Sequence, residues 1–190
     1  MPDACPPVHG PDLNVALATA RLRIEPLTAG HATAMFEPMR DPAVYRWISL
    51  EPSPDLAHLA RRWAWVAARP LVDIEVLDLG WAVLRRADGA CIGKLDAEVT
   101  AAGIATNVGY MFWAAYWGLG YATEAVTALS DHLLRHGVTR QHAAVTLGNE
   151  ASCRVLERAG FVRERVLVAN DTLRGVLVDD IEYVRRESLE

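Results

Sequence analysis

The chain has 190 residues, a formal net charge of −5 at pH 7 and 52% hydrophobic residues, which fits one domain of ordinary size with a substantial core. The acidic balance and the lack of a clustered basic patch exclude a nucleic-acid-binding protein. No run approaches the roughly 18 apolar residues of a membrane span, and no basic segment precedes an apolar run as in a secretory signal. We therefore expect a cytoplasmic protein without membrane or nucleic-acid partners.

The three cysteines, Cys5, Cys91 and Cys153, are far apart and form no CxxC pair. Their odd number and spacing argue against a disulfide framework or a zinc site. The histidines show no HExxH or similar metal-binding spacing, so we predict no bound metal. Cys91 falls in an apolar strand pattern and is interpreted as a small buried residue.

The first 18 residues contain four prolines and show no periodicity, so we predict a loose tail. Residues 19–190 show no repeat, low-complexity segment or internal linker, and we predict that they form a single domain. Alternation of polar and apolar residues predicts a strand over residues 21–27. Thr28 offers an N-cap for a helix that extends to about Met39. Asp55 offers the cap of a second helix, which ends before Pro70.

A run of strands follows. Residues 80–85 and 90–99 are predicted as a hairpin joined by Asp88-Gly89, a strong hairpin-turn signal, and Gly103 turns the chain into a third strand over residues 105–112. The remaining predicted elements are a helix over 118–136, a strand over 143–147, a helix over 150–159 capped by Asn149, and strands over 161–169 and 176–185. This order predicts an α/β (α+β) fold, with a mixed, mostly antiparallel sheet flanked by helices.

The segment from Val108 to Ala125 runs from a strand into a short loop with Gly118 and Gly120, and a helix follows directly. Glycines allow the backbone to approach an anion, and the N–H groups at a helix start can then bind it, as in a pyrophosphate site. Taken alone, this pattern is equally compatible with an ordinary helix start that needs glycine for packing. It is not a P-loop or a complete dinucleotide fingerprint, because GK[ST] is absent and GxGxxG is incomplete.

A second segment, residues 149–161, reads NEASCRVLERAGF. Together the two segments resemble the GNAT superfamily of N-acetyltransferases, specifically its RimJ/RimL-like branch, which typically reads GYW…YWGKGYATEA and then N.AS.RVLEKLGF. The resemblance covers about residues 20–185, including the opening strand, residues 41–45, and Asp179 with Tyr183 near the end. It implies the GNAT acyl-CoA N-acyltransferase fold and an acetyl-CoA-dependent N-acetyltransferase.

The resemblance also implies where acetyl-CoA binds. The backbone amides of residues 118–122 would surround the pyrophosphate, and the acyl-pantetheine would lie where the strand ending at Phe112 parts from the strand containing Val145. The implied cofactor-binding residues are Met111, Phe112, Trp113, Trp117, Gly118, Leu119, Gly120, Tyr121, Ala122, Thr123, Asn149 and Ser152.

Three residues are candidates for catalysis. Glu164 is predicted as the general base by the branch pattern, against the alternative of an exposed strand residue between arginines. Asn149 is predicted to contact the pantetheine or the reaction centre. Leu156 occupies the position where many members carry a Tyr that acts as the general acid, so Ser152 is proposed as its substitute, against simple capping of the helix. Direct transfer in a ternary complex, without an acyl-enzyme, is expected.

The candidate acceptor-binding residues are Trp47, Asn107 and Asp179. Asn107 stands where the branch often has Glu and can orient a water, although it can also be an ordinary polar strand residue. Asp179 can bind an acceptor amine or simply pair with an arginine.

The acceptor is expected to be a primary amine. The few catalytic groups favour a peptide or protein N-terminal α-amine, whose pKa of about 7.7–8.0 makes it easier to neutralise than a lysine at about 10.4. The alternatives are a small-molecule amine or antibiotic acetyltransferase, and a non-catalytic acyl-CoA-binding module. A homodimer is plausible from the family.

Overall fold

The computed structural model describes residue 8 and residues 10–72 and 75–187. Its strands are β1 Leu17–Ala18, β2 Leu22–Pro26, β3 Val76–Arg85, β4 Cys91–Thr100, β5 Ile104–Phe112, β6 Arg140–Thr146, β7 Val162–Leu173 and β8 Val176–Arg186. They form one sheet in the order β1-β2-β3-β4-β5-β6-β8-β7. Every neighbouring pair is antiparallel except β5 and β6, which are parallel. The predicted mixed, mostly antiparallel sheet is confirmed.

The helices of the described residues are α1 Gly10–Leu13, α2 Ala32–Phe36, α3 Leu56–Ala67, α4 Tyr121–Arg135 and α5 Glu150–Arg158. The caps predicted for α3 and α5 are confirmed, since Asp55 and Asn149 accept hydrogen bonds from the backbone of their first turns. The single helix predicted from Thr28 to about Met39 is wrong. It is divided into Ala29–His31, α2 and Pro38–Arg40, of which the first and last are 3-10 turns.

The described part of the predicted tail is folded. Leu13 in α1 is fully buried, and its carbonyl oxygen lies 3.0 Å from His132 Nε2 of α4. The Trp81 indole donates a hydrogen bond to the Val15 carbonyl, and β1 pairs with β2. The loose-tail prediction is therefore corrected for residues 10–18, because the buried Leu13 and the pairing of β1 with β2 anchor a segment whose prolines suggested disorder. Residues 1–7 and 9 lie outside the described residues, and the single domain over 19–190 stays a prediction.

The sheet is covered by helices on both faces. On one face, α4 and α5 contribute Val126, Leu129 and Leu156 to the larger hydrophobic core, which also contains Trp81 and Leu95 of the sheet. The opposite face carries a smaller core in which Met35 of α2 and Leu59 and Trp63 of α3 pack against Ala82 and Met111. Adjacent strand residues alternate between the two cores, as a pleated sheet requires.

The parallel pair β5 and β6 comes apart soon after it begins. Only Ile104 with Arg140 and Ala105 with Gln141 are in register, although β5 continues to Phe112 and β6 to Thr146. The backbone groups beyond these pairs therefore face a gap rather than a neighbouring strand. The predicted parting of these strands is confirmed. No helix of the described chain is long and apolar enough to cross a membrane.

Candidate functional site

A cleft of about 680 Å³ opens where β5 and β6 diverge. Its wall is formed by the ends of both strands, the glycine loop before α4, the first turns of α5, and the segment after the 3-10 turn Pro42–Tyr45. Strand β4 and the β7–β8 hairpin complete it on the side of α2 and α3. A concave cavity of this size with converging polar groups is the usual form of a small-molecule site.

The glycine loop leaves backbone donors exposed. Gly118 and Gly120 have φ angles of 73° and 79°, a left-handed conformation that favours glycine. Gly120 is the N-cap of α4 and provides no side-chain cap, and a Cβ atom on Gly118 would meet no described heavy atom within 4 Å. The first-turn N–H groups of α4 therefore remain available to an anion such as a pyrophosphate.

Arg21 contacts both the glycine loop and helix α4. Its Nη1 donates to the Leu119 carbonyl at 2.9 Å, its Nε binds Glu124 Oε2 at 2.6 Å, and its guanidinium lies 4.5 Å from the centre of the Tyr121 ring. Burial alone would raise the pKa of Glu124, but hydrogen bonds from Thr19 and Arg21 bring that pKa below its usual value. The loop is thus held by the Glu124 carboxylate on α4 and by the guanidinium of Arg21, which immediately precedes β2.

The start of α5 brings two hydroxyl groups together in the cleft. Asn149 Oδ1 accepts a hydrogen bond from the Ser152 backbone N–H at 3.3 Å, and Ser152 Oγ lies 2.6 Å from the Tyr110 hydroxyl of β5. Burial raises the pKa of Tyr110 to about 12, so this phenol keeps its proton at neutral pH. The sequence prediction included Ser152 but missed Tyr110, because their contact joins two distant elements.

Asp96 of β4 is a cleft carboxylate that the sequence analysis missed. Its Oδ1 forms an ion pair with the Lys94 ammonium, and its Oδ2 accepts from Asn107 Nδ2 at 3.4 Å. Its cross-strand partner in β5 is Gly109, and a Cβ atom there would overlap with Asp96 Oδ2. The missing side chain at Gly109 therefore creates the space in which the carboxylate lies.

The opposite wall carries Asp180 of β8, the cross-strand partner of Thr146 in β6. Asp180 is 4% exposed; its Oδ2 accepts from Asn170 at 2.8 Å, and Oδ1 has no hydrogen-bond partner among the described residues. Nearby, Arg174 donates to the carbonyl groups of Tyr45 and Arg46 at 3.0 and 2.7 Å. These bonds tie the β7–β8 hairpin to the segment that carries Trp47.

The structure brings most of the predicted site residues together. Those that line the cleft are Trp47, Asn107, Met111, Phe112, Trp117, Gly118, Gly120, Tyr121, Ala122, Thr123, Asn149 and Ser152. The predicted residues that do not line it are Trp113, Leu119, Glu164 and Asp179. The specific roles of the lining residues stay predictions.

Glu164 lies away from the cleft. Its carboxylate accepts two hydrogen bonds from Arg186 at 2.9 and 2.7 Å, and Arg140 lies 3.6 Å away. An irregularity in the β7–β8 register between Arg163 and Arg165 isolates Glu164 from the regular ladder. The prediction that Glu164 is the base is corrected on this geometry.

Local contacts also explain why Asp179, Trp113 and Leu119 do not line the cleft. Asp179 accepts a hydrogen bond from the Ala169 backbone N–H at 2.9 Å, while its neighbour Asp180 lines the cleft. Trp113 is buried in the smaller core and donates to the Cys91 carbonyl at 2.8 Å. Leu119 is 52% exposed and meets Arg21 through its carbonyl group. Within the described ranges, no cluster of three or more His, Cys, Asp or Glu could hold a metal ion.

Comparisons with known proteins identify the family of the chain. Residues 21–162 match the family described as "Acetyltransferase (GNAT) domain". The chain is 26% identical over 153 residues to "Uncharacterized N-acetyltransferase YoaA" of Bacillus subtilis (strain 168), covering 80% of this chain and 85% of that protein.

Two solved structures show the same fold. The ribosomal-protein-S5-alanine acetyltransferase from Vibrio fischeri superposes with a TM-score of 0.79 at 19% identity, covering 90% of this chain and 96% of that one. The microcin C7 self-immunity acetyltransferase MccE, in complex with acetyl-CoA and AMP, superposes with a TM-score of 0.77 at 16% identity, covering 89% and 94%.

Proposed function

Because the chain belongs to the GNAT acetyltransferase family, we propose that it moves an acetyl group from acetyl-CoA to the N-terminal α-amine of a peptide or protein. GNAT enzymes use acetyl-CoA as co-substrate, and the chain is an acetyl-CoA-dependent N-acetyltransferase. The observation that carries the proposal is the gap between β5 and β6, which opens beside the uncapped start of α4. The gap leaves space for an extended chain, and α4 offers donors to its phosphates.

The described residues fit acetyl-CoA, which supplies an activated acetyl thioester when bound. The N–H groups of Tyr121, Ala122 and Thr123 would bind the pyrophosphate at the helix start. The backbone of β5 beyond Ala105 has no partner strand on the side of β6, and it would orient the pantetheine in the gap. We expect direct transfer in a ternary complex, without an acyl-enzyme.

The Tyr110–Ser152 pair serves the leaving group in this proposal. Both hydroxyls are 2.6 Å apart in the cleft, and the raised pKa of Tyr110 keeps its proton in place at neutral pH. Ser152 Oγ can therefore donate to the sulfur while Tyr110 donates to Ser152. This proposal retains the predicted role of Ser152 and adds Tyr110 as the group that orients it.

The choice of an α-amine rests on proton affinity. An α-amine with a pKa of about 7.7–8.0 is partly neutral at physiological pH, whereas a lysine at about 10.4 is almost fully charged. The described cleft contains carboxylates but no free histidine as a stronger base near the gap. The fold similarity to the ribosomal-protein-S5-alanine acetyltransferase supports the same class, and with it the RimJ/RimL-like branch.

The Arg174 bridge favours a second candidate, a small-molecule amine acetyltransferase. By binding the carbonyl groups of Tyr45 and Arg46, Arg174 links the β7–β8 hairpin to the segment that carries Trp47. We expect this link to leave less room for a long peptide than for a small amine. The cytoplasmic location and a homodimer remain part of the proposal.

The test is steady-state kinetics with acetyl-CoA and a matched set of acceptors. The set contains a short lysine-free peptide with a free α-amine, the same peptide with a blocked α-amine and one added lysine, and a polyamine. We expect kcat/KM to be at least about tenfold higher for the free α-amine, since more of it is neutral. A preference for the lysine or the polyamine would overturn the choice of acceptor class.

A further inference from the structure

We propose that Asp96 is the catalytic base that accepts the proton from the acceptor amine. The inference rests on the proposed acetyl transfer and identifies the residue that makes the amine nucleophilic. Such a base must stand on the acceptor side of the gap, within reach of the reacting nitrogen. The predicted base Glu164 does not meet this requirement, because it is paired with Arg186 away from the cleft.

The register of the sheet places Asp96 beside the gap. Its partner Gly109 is four residues beyond Ala105, the last residue of β5 that pairs with β6. On the other side, Thr146 is five residues beyond Gln141. At a rise of about 3.3 Å per residue, both positions lie at nearly the same height in the opened part of the gap. Asp96 is therefore one strand away from the position where an extended thioester chain would lie.

The side chain of Asp96 leans towards β5 rather than away from it. Its Oδ2 lies so close that it would overlap with a Cβ atom on Gly109, so the carboxylate covers the bare backbone of the gap strand. The same face of the sheet carries Lys94 and Asn107, and all three side chains line the cleft. This face is the one covered by α2 and α3, which leaves it separate from the α5 face that holds Ser152.

The contacts of Asp96 leave one oxygen able to accept a proton. Lys94 occupies Oδ1 with a close ion pair, whereas Oδ2 receives only a long hydrogen bond of 3.4 Å from Asn107. Both partners are donors, so neither competes as a proton acceptor. The Asp96 side chain is 32% exposed, which leaves it accessible to an acceptor in the cleft.

The acceptor ammonium loses two protons as it becomes an amide. Asp96 Oδ2 takes the first proton that the acceptor ammonium loses, and the freed nitrogen pair forms the bond to the acetyl carbonyl carbon. The carbon–sulfur bond breaks as the amide forms, and its electron pair leaves with the sulfur, which gains a proton from Ser152 and Tyr110. The nitrogen loses its second proton to water as the amide forms, Tyr110 regains a proton from water, and Asp96 releases its proton to water. The products are the N-acetyl amine, free CoA and one proton.

Several charged groups lie near Asp96, and their charges bear on any pH test of this residue. Its two cross-strand partners, Gly80 of β3 and Gly109 of β5, carry no charge, and Lys94 is its neighbour on β4. The charged groups that line the same cleft from other elements are Arg46, Arg154, Arg158, Asp171 and Asp180. Across the described chain, the ion pair of Asp96 is with Lys94 rather than with any of these groups.

The experiment compares the wild-type chain with Asp96→Asn, using acetyl-CoA and the free α-amine peptide. Removal of a general base is expected to lower kcat about 10²–10⁴-fold at pH 7. The Kd for acetyl-CoA should stay within about twofold, since no proposed cofactor contact is lost. The deficit should narrow at least about tenfold between pH 7 and pH 9, because an α-amine with a pKa near 8 becomes neutral without help.

Two controls separate catalysis from structure. Asp78→Asn removes the ion pair that Asp78 of β3 forms with Arg69, outside this cleft, and should leave kcat unchanged. Lys94→Gln removes the partner but keeps the carboxylate, and should cost less than Asp96→Asn. An Asp96→Asn variant with unchanged kcat, or with a deficit that is constant over pH and equal to that of Lys94→Gln, would overturn the inference. A wild-type chain that acetylates no amine would instead overturn the proposed function.

Discussion

Asp96 and Gly109 share one space in the sheet: a Cβ atom on Gly109 would overlap with Asp96 Oδ2 and lie 2.9 Å from its Cγ. Real Cβ atoms do not approach other heavy atoms so closely, so any side chain at position 109 must displace the carboxylate. Because Gly109 belongs to the strand that lines the gap, its lack of a side chain gives Asp96 access to the reaction centre. The position of the Asp96 carboxylate on β4 thus depends on the absence of a side chain at Gly109 on β5.

This relationship predicts the effect of Gly109→Ala. The new methyl group should push the Asp96 carboxylate off β5 and lower kcat at least about tenfold, since even small misplacement of a catalytic group is costly. Steady-state kinetics and acetyl-CoA titration measure both effects. Gly80→Ala is the matched control, because Gly80 pairs with Asp96 from the other side and a Cβ there would meet nothing closer than 3.5 Å. Equal kcat values for the two variants would contradict the account.

The hydroxyl pair of Tyr110 and Ser152 should act as one unit. Ser152→Ala and Tyr110→Phe are each expected to lower kcat by about tenfold, and the double variant should lose little more than either single change. The reason is that the 2.6 Å contact couples the two groups, so removing either one interrupts the same proton path. A double-mutant cycle on kcat measures the coupling. Fully additive losses would show that the two hydroxyls work independently.

Glu164→Gln should leave acetyl transfer within about twofold of the wild type. Its carboxylate is committed to Arg186 and Arg140 on the surface and does not reach the cleft. Such an exposed ion pair contributes about 0–1 kcal/mol to stability, so the variant should also melt close to the wild-type temperature. Steady-state kinetics at pH 7 measure the rate of acetyl transfer by the variant and the wild type. A loss of more than about tenfold would restore Glu164 as a candidate base.

The pKa of Glu124 links the glycine loop to acid stability. The pKa of Glu124 is lower in the folded chain than its usual value of 4.5, which it has in the unfolded chain. Ionised Glu124 therefore stabilises the folded chain at pH values above 4.5, and this contribution is lost as the pH falls through the folded-state pKa. Glu124→Gln should therefore lower the free energy of unfolding at pH 7 by about 1 kcal/mol, with the difference shrinking below about pH 4. Urea unfolding at several pH values measures this. A difference that is constant from pH 7 to pH 3 would contradict the linkage.

The cofactor half of the site could be predicted from the sequence because its signals are local. Gly118, Gly120 and the cap formed by Asn149 each act on the backbone within a few residues, so a short motif specifies them. The acceptor half depends on contacts between strands. Asp96 owes its place to Gly109, thirteen positions away in sequence, and no local pattern records that pairing.

Strand register explains why the carboxylates of Asp179 and Glu164 do not line the cleft. Neighbouring residues of a strand point to opposite faces, so a shift of one position moves a side chain out of the site. Asp179 and Asp180 differ in this way, and Asp180 lines the cleft. Glu164 lies within a register irregularity of the β7–β8 pair and binds Arg186, and such irregularities have no reliable signature in a single sequence.

The most direct test of the account is acetylation of a lysine-free peptide by the wild-type chain and by Gly120→Trp, with the acetyl group located by mass spectrometry. Gly120 has a φ of 79°, and a Cβ there would lie 3.4 Å from Arg21 Nη2, so a tryptophan should distort the start of α4 and block the pyrophosphate site. The account predicts an acetylated α-amine with the wild type and no product above background with the variant. Equal product from both proteins, or no product from a wild-type chain that binds acetyl-CoA, would contradict it.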